Sequence, residues 1–304
     1  MDSLKITKPV VYGIIGGALV LGIVIFLVSD REEEGEEVLV DVSPPVEIPV
    51  EEPVETTPEV IGSSVLGRDI EVYRFQPGEE KHVVFVGGIH GGYEWNTVLL
   101  AYEFIDYLND NPDFIPEGVS VSIIPSANPD GVEMVVGQTG RFSFADVPSP
   151  EETIPGRFNA NGVDLNRNFD CNWAPESSWR GEVVSAGEEA FSEPEARAIR
   201  GLVENSKPDA VIFWHSAAGA VFGSECNDGI LPDTLGIMNA YAEASGYPAV
   251  PSFDFYEITG DVEGWLASIG IASITVELTT HDSLEWDKNL SGARAVLTYY
   301  GGIK

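Results

Sequence analysis

Four short apolar runs alternate with amphipathic segments between residues 82 and 280. Each run is rich in β-branched residues and stops at glycine or polar residues, as buried strands do. Intervening segments such as 95–110 and 192–206 have helical spacing, and Ser192 followed by Glu195 predicts a capping box. The predicted strands are HVVFVGGI (82–89), VSVSIIPSA (119–127), DAVIFWHS (209–216) and ASITVELTT (272–280). This alternation predicts an α/β fold with a mixed, mostly parallel central sheet and helices on both faces.

A fifth apolar run, residues 9–28, differs from the others because it has twenty residues and no charge. At 1.5 Å per residue it would span roughly 30 Å, the thickness of a bilayer's hydrocarbon core. Lys5 and Lys8 precede it, and acidic residues follow it. We therefore predict a single-pass membrane anchor, with a short cytoplasmic tail at 1–8 and the rest of the chain outside the cytoplasm. The alternative is a cleaved signal peptide, although the run is long for one and no small-residue cleavage site follows.

Residues 29–60 are acidic and rich in proline. Between residues 30 and 59 there are twelve Asp and Glu residues, one arginine and five prolines. Such a segment cannot bury enough apolar surface to fold, and its charges and prolines hold it extended. We predict a disordered stalk, followed by one large domain over residues 61–304.

Charge and cysteine content narrow the possible partners and the compartment. The formal net charge of −34 argues against nucleic acid and anionic membrane surfaces as partners, since both would repel the chain. Cys171 and Cys226 are the two cysteines of the chain. If the domain lies outside the cytoplasm, a disulfide between them is permitted, and the alternative is two unpaired, partly buried thiols.

Polar residues occur where the predicted strands end. His90 follows the first strand directly, residues 128–130 follow the second, His215 closes the third, and Glu277 lies near the end of the fourth. In sheets of this kind, ligands bind beyond the carboxyl ends of the strands. We therefore expect three potential ligands or bases, His90, His215 and Glu277, to project from one edge of the sheet.

Several segments between residues 60 and 300 resemble the zinc carboxypeptidases of the M14 type, in both order and approximate separation. The resemblance implies the fold of those enzymes and a catalytic domain that hydrolyses peptide bonds. NANGVDLNRNFD is the most specific piece, and the ordered set is stronger than any single motif. The segments are GGIHGGYE (87–94), SANPDGVE (126–133), GRFNANGVDLNRNFD (156–170), FSEPEARAI (191–199), VIFWHS (211–216) and ITVEL (274–278).

The resemblance implies one zinc ion per chain, held by His90, Glu94 and His215. Two imidazoles and a carboxylate suit Zn²⁺, and this ligand set, that of carboxypeptidase A, leaves a fourth position for water. The family usually places two residues between its first His and the Glu, whereas this chain has three, GGY. Gly91 and Gly92 adopt conformations closed to other residues, so we expect the loop to absorb the extra residue and to aim Glu94 inward. The alternative is that Glu94 is simply an acid at a helix N-terminus.

The resemblance also implies the catalytic and carboxylate-binding residues. Glu277 lies in an otherwise apolar strand and matches the Glu that activates the metal-bound water and passes its proton to the leaving amine. Asn166 and Arg167 match the pair that holds the substrate's terminal carboxylate, which a guanidinium grips through two hydrogen bonds. A further arginine should stabilise the oxyanion, and we favour Arg157, with Arg141 as the alternative.

Two further residues concern the rest of the substrate. Tyr256, 21 residues before Glu277, matches the mobile tyrosine that closes over bound substrate. The alternative is an ordinary aromatic residue packed beside Phe253 and Phe255. Glu263 falls where the family places a specificity residue, and an acid there would favour a basic or amine-bearing side group such as Lys, Arg or diaminopimelate.

These features together predict a membrane-anchored, extracytoplasmic zinc metallocarboxypeptidase that cleaves peptide bonds near a free carboxylate. One alternative keeps the chemistry and changes the substrate to the stem peptides of peptidoglycan. A second alternative, motivated by the unusual HGGYE spacing, is a pseudoenzyme that binds carboxylate-ended peptides without cleaving them.

Overall fold

A computed structural model describes residues 56–253, 256 and 258–302. The predicted tail at 1–8, the predicted anchor at 9–28 and most of the predicted stalk at 29–60 lie outside this range. Within the described residues, no helix is both long and apolar enough to cross a membrane.

The described chain forms an eight-stranded sheet, two small two-stranded sheets and the helices that cover them. The strands are β1 (Glu59–Ser63), β2 (Asp69–Phe75), β3 (Lys81–Val86), β4 (Val119–Ile124), β5 (Glu176–Trp179), β6 (Glu182–Ser185), β7 (Ala210–Ser216), β8 (Ala220–Gly223), β9 (Glu225–Cys226), β10 (Gly229–Ile230), β11 (Ala249–Val250) and β12 (Ala272–Leu278). The α-helices are α1 (Trp95–Asp110), α2 (Pro129–Val136), α3 (Pro150–Thr153), α4 (Pro194–Ser206), α5 (Pro232–Ser245), α6 (Val262–Ser268) and α7 (Trp286–Gly301).

The large sheet has the order β1-β2-β4-β3-β7-β12-β8-β11. Its four central strands, β4, β3, β7 and β12, are parallel to one another. The strands β2 and β8 pair antiparallel with this central group, on opposite sides of it. The mixed sheet predicted from the apolar runs is therefore confirmed, and the four predicted strands are its centre.

Both faces of the sheet are buried, as the continuous apolar runs require. In β3, Val83 and Phe85 pack into a core shared with α1, α5 and α7, whereas Val84 and Val86 pack into a second core with α4 and α6. Side chains alternate between the two faces of a strand, so a strand buried on both sides is apolar at most of its positions.

Two details differ from the predictions. Glu59 and Val60, assigned to the stalk, begin β1 because their backbones pair with β2, so this strand starts two residues before the predicted boundary at 61. The predicted capping box of α4 is wrong. Its N-cap is Glu193, without a side-chain capping bond, because Glu195 instead accepts a hydrogen bond from the backbone N–H of Val65 at 3.0 Å. Ser192 donates to the Glu193 carboxylate at 2.8 Å.

Candidate metal centre and active site

Parallel pairing brings the polar residues at the strand ends together, as predicted. His215 of β7 and Glu277 of β12 are direct partners in the register of two neighbouring strands. On the other side of β7 lies β3, and His90 follows it after a short turn. The three side chains therefore line one cavity of about 790 Å³ at the carboxyl edge of the sheet.

The segment with the extra residue forms a compact turn. Residues Gly91–Glu94 make one turn of 3₁₀-helix directly before α1. Gly91 has φ of +46°, and a Cβ atom there would meet the carbonyl oxygen of Gly156 at 2.5 Å. A Cβ atom on Gly92 would meet the Val135 Cβ atom at 2.5 Å. Only glycines allow this turn to pack so closely, and the result is that the Glu94 side chain is buried beside the two histidines.

The three residues predicted to bind zinc form a buried cluster. His90, Glu94 and His215 each offer one ligand atom, and these atoms lie within 4.8 Å of one another. The Glu94 Oε2 atom is 3.2 Å from the His215 Nδ1 atom. Among the buried side-chain atoms of the described residues, His90 Nδ1 and Glu94 Oε2 make no hydrogen bond. Buried polar atoms normally have partners, so this group of imidazoles and a carboxylate fits a zinc ion.

Asp164 links the metal cluster to an arginine, and its role was not singled out from the sequence. Its Oδ1 atom lies 3.5 Å from His90 Nδ1. Its Oδ2 atom accepts hydrogen bonds from Arg157 Nε at 3.0 Å and from Arg157 Nη2 at 2.8 Å. Arg157 also stacks over the Trp179 ring, 4.5 Å from its centroid, and its Nη1 atom is 3.7 Å from Glu94 Oε1. Asp164 and Arg157 are both buried, so the pair holds the guanidinium at the cavity in one orientation.

The alternative to Arg157 lies elsewhere. Arg141 is exposed and makes a two-pronged ion pair with Asp106, at 2.7 and 2.6 Å, outside the residues that line the cavity. Of the two predicted arginines, the structure therefore brings only Arg157 into the site.

Asn166 and Arg167 lie side by side on the cavity wall. Asn166 is held through its Oδ1 atom, which accepts a hydrogen bond from the backbone N–H of Val262 at 2.8 Å. Arg167 Nη1 donates to the Asn166 carbonyl at 2.6 Å, whereas its buried Nε atom makes no hydrogen bond. The pair is thus anchored by the protein, and one donor of the Arg167 guanidinium has no hydrogen-bond partner among the described residues.

Two acids lie beside this pair at the start of α6. Glu263 is buried; its Oε1 atom is 3.3 Å from His215 Nε2, and its Oε2 atom accepts from Asn166 Nδ2 at 3.3 Å. Asp261 caps α6 through the Gly264 backbone N–H and also lines the cavity. Burial, together with the charge of Glu263, raises the pKa of Asp261 to about 6.

Glu277 is a further carboxylate that lines the cavity. Its Oε2 atom accepts a hydrogen bond from the backbone N–H of Ala218 at 3.1 Å. Burial raises the pKa of Glu277 to about 7, in the range that suits a group that takes and returns a proton at neutral pH.

Tyr256 lies at the mouth of the cavity and is 41% exposed. Its ring contacts Phe253 edge to face, with centroids 4.9 Å apart. Tyr256 therefore both packs against Phe253 and lines the cavity. Phe255 lies outside the described residues.

Cys171 and Cys226, for which a disulfide was one of the two expected outcomes, form a disulfide and line the cavity. Tyr93, Trp179, Arg180 and His281 also line it and were missed by sequence reasoning. Nothing in the local sequence marks Trp179, Arg180 or His281 as neighbours of the metal cluster.

Comparison with known proteins agrees with this site. The family model described as zinc carboxypeptidase matches residues 48–287. The catalytic chain of carboxypeptidase N from Rattus norvegicus is 37% identical over 121 residues, which are 36% of this chain and 25% of that protein. Murein peptide amidase A from Escherichia coli is 31% identical over 131 residues, 40% of this chain and 50% of that protein.

A solved structure extends the likeness over most of the fold. Bovine thrombin-activatable fibrinolysis inhibitor, in complex with a tick carboxypeptidase inhibitor, superimposes with a TM-score of 0.63 at 19% identity. The match covers 82% of this chain and 89% of that one.

With the family model matching most of its length and the predicted ligand cluster in place, the chain belongs to the zinc carboxypeptidase family, whose members are zinc-dependent hydrolases. The chain spans a quarter to a half of the length of the two curated relatives described above.

Proposed function

We propose that this protein is a metallocarboxypeptidase that removes residues from the carboxyl end of peptides. The observation that carries the proposal is the position of Asn166 and Arg167. They lie in the same cavity as the metal cluster and Glu277, so a substrate carboxylate held by the pair would place its last peptide bond near the cluster.

The chemistry of each residue follows from its surroundings. His90, Glu94 and His215 would hold zinc, which when bound acts as a Lewis acid and lowers the pKa of water. Glu277 takes the proton from the attacking water and later delivers it to the leaving amine, since its pKa is near neutrality.

The arginines have separate tasks. Arg157, fixed by Asp164 and stacked on Trp179, donates hydrogen bonds to the oxygen that becomes negative as water attacks the carbonyl. Arg167 grips the terminal carboxylate, and Tyr256 covers the bound residue from the mouth of the cavity.

A second candidate is hydrolysis of the peptide stems of peptidoglycan. One of the relatives described above is a murein peptide amidase. Two acids, Asp261 and Glu263, lie in the cavity next to Asn166 and Arg167, the residues proposed to bind the substrate carboxylate. Acids in that position favour an amine-bearing group such as Lys, Arg or diaminopimelate, so either a basic peptide end or a stem peptide would suit the cavity. The hypothesis of a pseudoenzyme that only binds peptides rested on the HGGYE spacing. This reason no longer applies, because the turn accommodates the extra residue and Glu94 reaches the cluster.

We also propose that the enzyme acts outside the cytoplasm, tethered by residues 9–28. The uncharged length of that segment and the cations before it support an anchor. The disulfide between Cys171 and Cys226 supports an oxidising compartment.

The test uses the purified full-length chain loaded with one equivalent of zinc. Peptides ending in Lys, Leu or diaminopimelate are supplied with either a free or an amidated carboxyl end, beside purified stem peptides. We expect chelator-sensitive release of the last residue from the free-carboxylate forms only. Equal cleavage of amidated peptides would contradict the role of Arg167, and preference for stem peptides would favour the second candidate.

A further inference from the structure

A second, smaller pocket of about 330 Å³ opens beside the catalytic cavity. Tyr93, Arg180 and His281 line both spaces, so the two are neighbours across these side chains. Asn166, Arg167 and Tyr256 line the cavity but not this side pocket. The side pocket therefore continues the cavity away from the residues that hold the substrate carboxylate.

About half of the wall of the side pocket is apolar, and this half includes Trp95, Val147, Pro148, Pro150 and Ile154. Two exposed acids, Glu151 and Asp282, also line the pocket, together with the cation Arg180. An apolar side chain would replace water favourably at the apolar half, whereas a carboxylate would meet two acids and a single cation.

A chain of hydrogen bonds fixes the proton position on His281. Asn96 Nδ2 donates to the carbonyl oxygens of Thr280 and Ser283, at 2.9 and 3.0 Å, so its Oδ1 atom must be the acceptor. The Ser216 hydroxyl donates its one hydrogen to that Oδ1 atom at 2.9 Å. The 2.7 Å contact between Ser216 Oγ and His281 Nδ1 therefore requires Nδ1 to carry the hydrogen.

The other ring nitrogen of His281 is consequently a hydrogen-bond acceptor. Burial lowers the pKa of His281, so the ring is neutral at neutral pH and Nε2 keeps its lone pair. Tyr93, which comes directly before the ligand Glu94, packs against the ring with centroids 4.7 Å apart and keeps it in place. The boundary between the two spaces thus presents one acceptor of fixed orientation.

We propose that the side pocket binds the acyl part of the substrate, with His281 Nε2 accepting a hydrogen bond from a backbone N–H of that part. The proposal rests on the proposed peptidase function, since it requires the substrate carboxylate to lie at Arg167. It names the favoured substrate class: peptides whose residue on the acyl side of the cleaved bond is large, apolar and uncharged, and retains its N–H.

The same geometry sets the selectivity. An acyl residue that carries its own carboxylate would meet Glu151 and Asp282, and one with a methylated nitrogen would leave the His281 acceptor without its donor. Leu in place of Gly should improve binding by about 10–100-fold, the usual range for apolar pockets.

Binding of intact peptides to the zinc-loaded full-length chain carrying Glu277→Gln tests the proposal without turnover. Isothermal titration compares acetyl-Leu-Lys, acetyl-Gly-Lys, acetyl-Glu-Lys and acetyl-(N-methyl)Leu-Lys. We expect acetyl-Leu-Lys to bind at least about tenfold more tightly than each of the others. Equal dissociation constants across the series, or no binding of any member, would overturn the subsite.

Added variants assign the two parts of the preference. His281→Phe should abolish the difference between the Leu and N-methyl-Leu peptides, with His82→Phe, at the amino end of β3, as its control. Ile154→Ser should abolish the difference between Leu and Gly, with Ile269→Ser as a control, because both isoleucines are partly exposed, at 37% and 47%. Unchanged preferences in His281→Phe and Ile154→Ser would overturn the assignment, and thermal unfolding verifies that each variant is folded.

Turnover of the same peptides by the chain with Glu277 intact separates the two proposals. Hydrolysis of all four at equal rates would overturn the subsite and leave the peptidase function standing. Selective binding by the Gln variant without any hydrolysis by the chain with Glu277 intact would support the subsite and overturn the peptidase function.

Discussion

Two walls of the catalytic cavity are built on different principles. The sheet wall consists of His215 and Glu277, which lie in register on neighbouring parallel strands. The loop wall consists of Arg157, Asp164, Asn166 and Arg167, which lie in 3₁₀ turns and the loop between them. Backbone ladders fix the first wall, whereas a few side-chain hydrogen bonds fix the second. The effect of a single substitution should therefore stay at the substituted residue in the sheet wall and reach neighbouring side chains in the loop wall.

The largest expected effect tests the sheet wall. Glu277→Gln removes the proposed proton acceptor but keeps its size and its position on β12. We expect kcat to fall about 10²–10⁴-fold, while zinc content and the thermal unfolding midpoint stay unchanged. Steady-state kinetics, metal analysis and calorimetry on the same preparation measure all three, and retained turnover would contradict the mechanism.

Asp164→Ala should break the loop wall as a whole. It removes the Oδ2 atom that accepts both hydrogen bonds of the buried Arg157 and leaves the guanidinium only the 3.7 Å contact with Glu94, which costs about 3–5 kcal/mol of stability. Activity should fall as well, because Arg157 is no longer held toward the substrate. Denaturant unfolding measures the first effect, and Asp106→Ala, which removes the exposed partner of Arg141, is the control. Equal stability losses in the two variants would contradict the difference between the walls.

Arg167→Lys keeps the charge of the loop wall but removes the two-pronged grip. We expect KM for free-carboxylate peptides to rise about 10–100-fold, the equivalent of one lost charge-assisted hydrogen bond. The stability of the protein should change little. Kinetics with free and amidated peptides check this expectation, since a carboxylate-binding residue affects only the free forms.

The smallest expected effect, on stability, concerns Glu285, which lies in the segment that follows β12. Glu285 accepts hydrogen bonds from the Thr279 backbone N–H at 2.6 Å and from the Tyr247 hydroxyl at 2.7 Å. Burial alone would raise the pKa of Glu285, but bonds from these groups and from Lys288 lower it to about 2.

Because its folded pKa is depressed, Glu285 stabilises the fold above the ordinary pKa of Glu, and the contribution is lost as the pH falls from there toward about 2. Glu285→Gln should therefore lower the free energy of unfolding by about 1–2 kcal/mol at pH 7 and by much less near pH 3. Denaturant unfolding at the two pH values measures the difference, and an equal loss at both would contradict it.

The same two walls explain what could be predicted from the sequence. The centre of the fold was predictable, because strands buried on both faces are apolar at most positions and such runs can be recognised in the sequence. His90, His215 and Glu277 were predictable as one site, because parallel strands bring their carboxyl ends to one edge. In each case the local sequence carries the physical cause.

The loop wall could be assigned only by resemblance, and its supports were missed. Asp164 joins His90 to Arg157, but nothing in the spacing of an aspartate shows which two side chains it contacts. The partner of Glu195 is Val65, 130 residues earlier in the chain, and this long-range bond replaced the local capping box. The proposed role of His281 could not be predicted for the same reason, since it depends on Asn96 and Ser216 from other elements.

The bridge between Cys171 and Cys226 closes a loop of 55 residues that contains α4 and β7. Closing a loop of this length reduces the entropy of the unfolded chain by an amount equivalent to about 4 kcal/mol of folding stability. A reduced chain lacks that contribution, and the two stretches of cavity wall that carry the cysteines are then joined only by noncovalent contacts. Newly made protein is therefore at its least stable before oxidation, and the oxidation that completes the cavity wall also stabilises the fold around it.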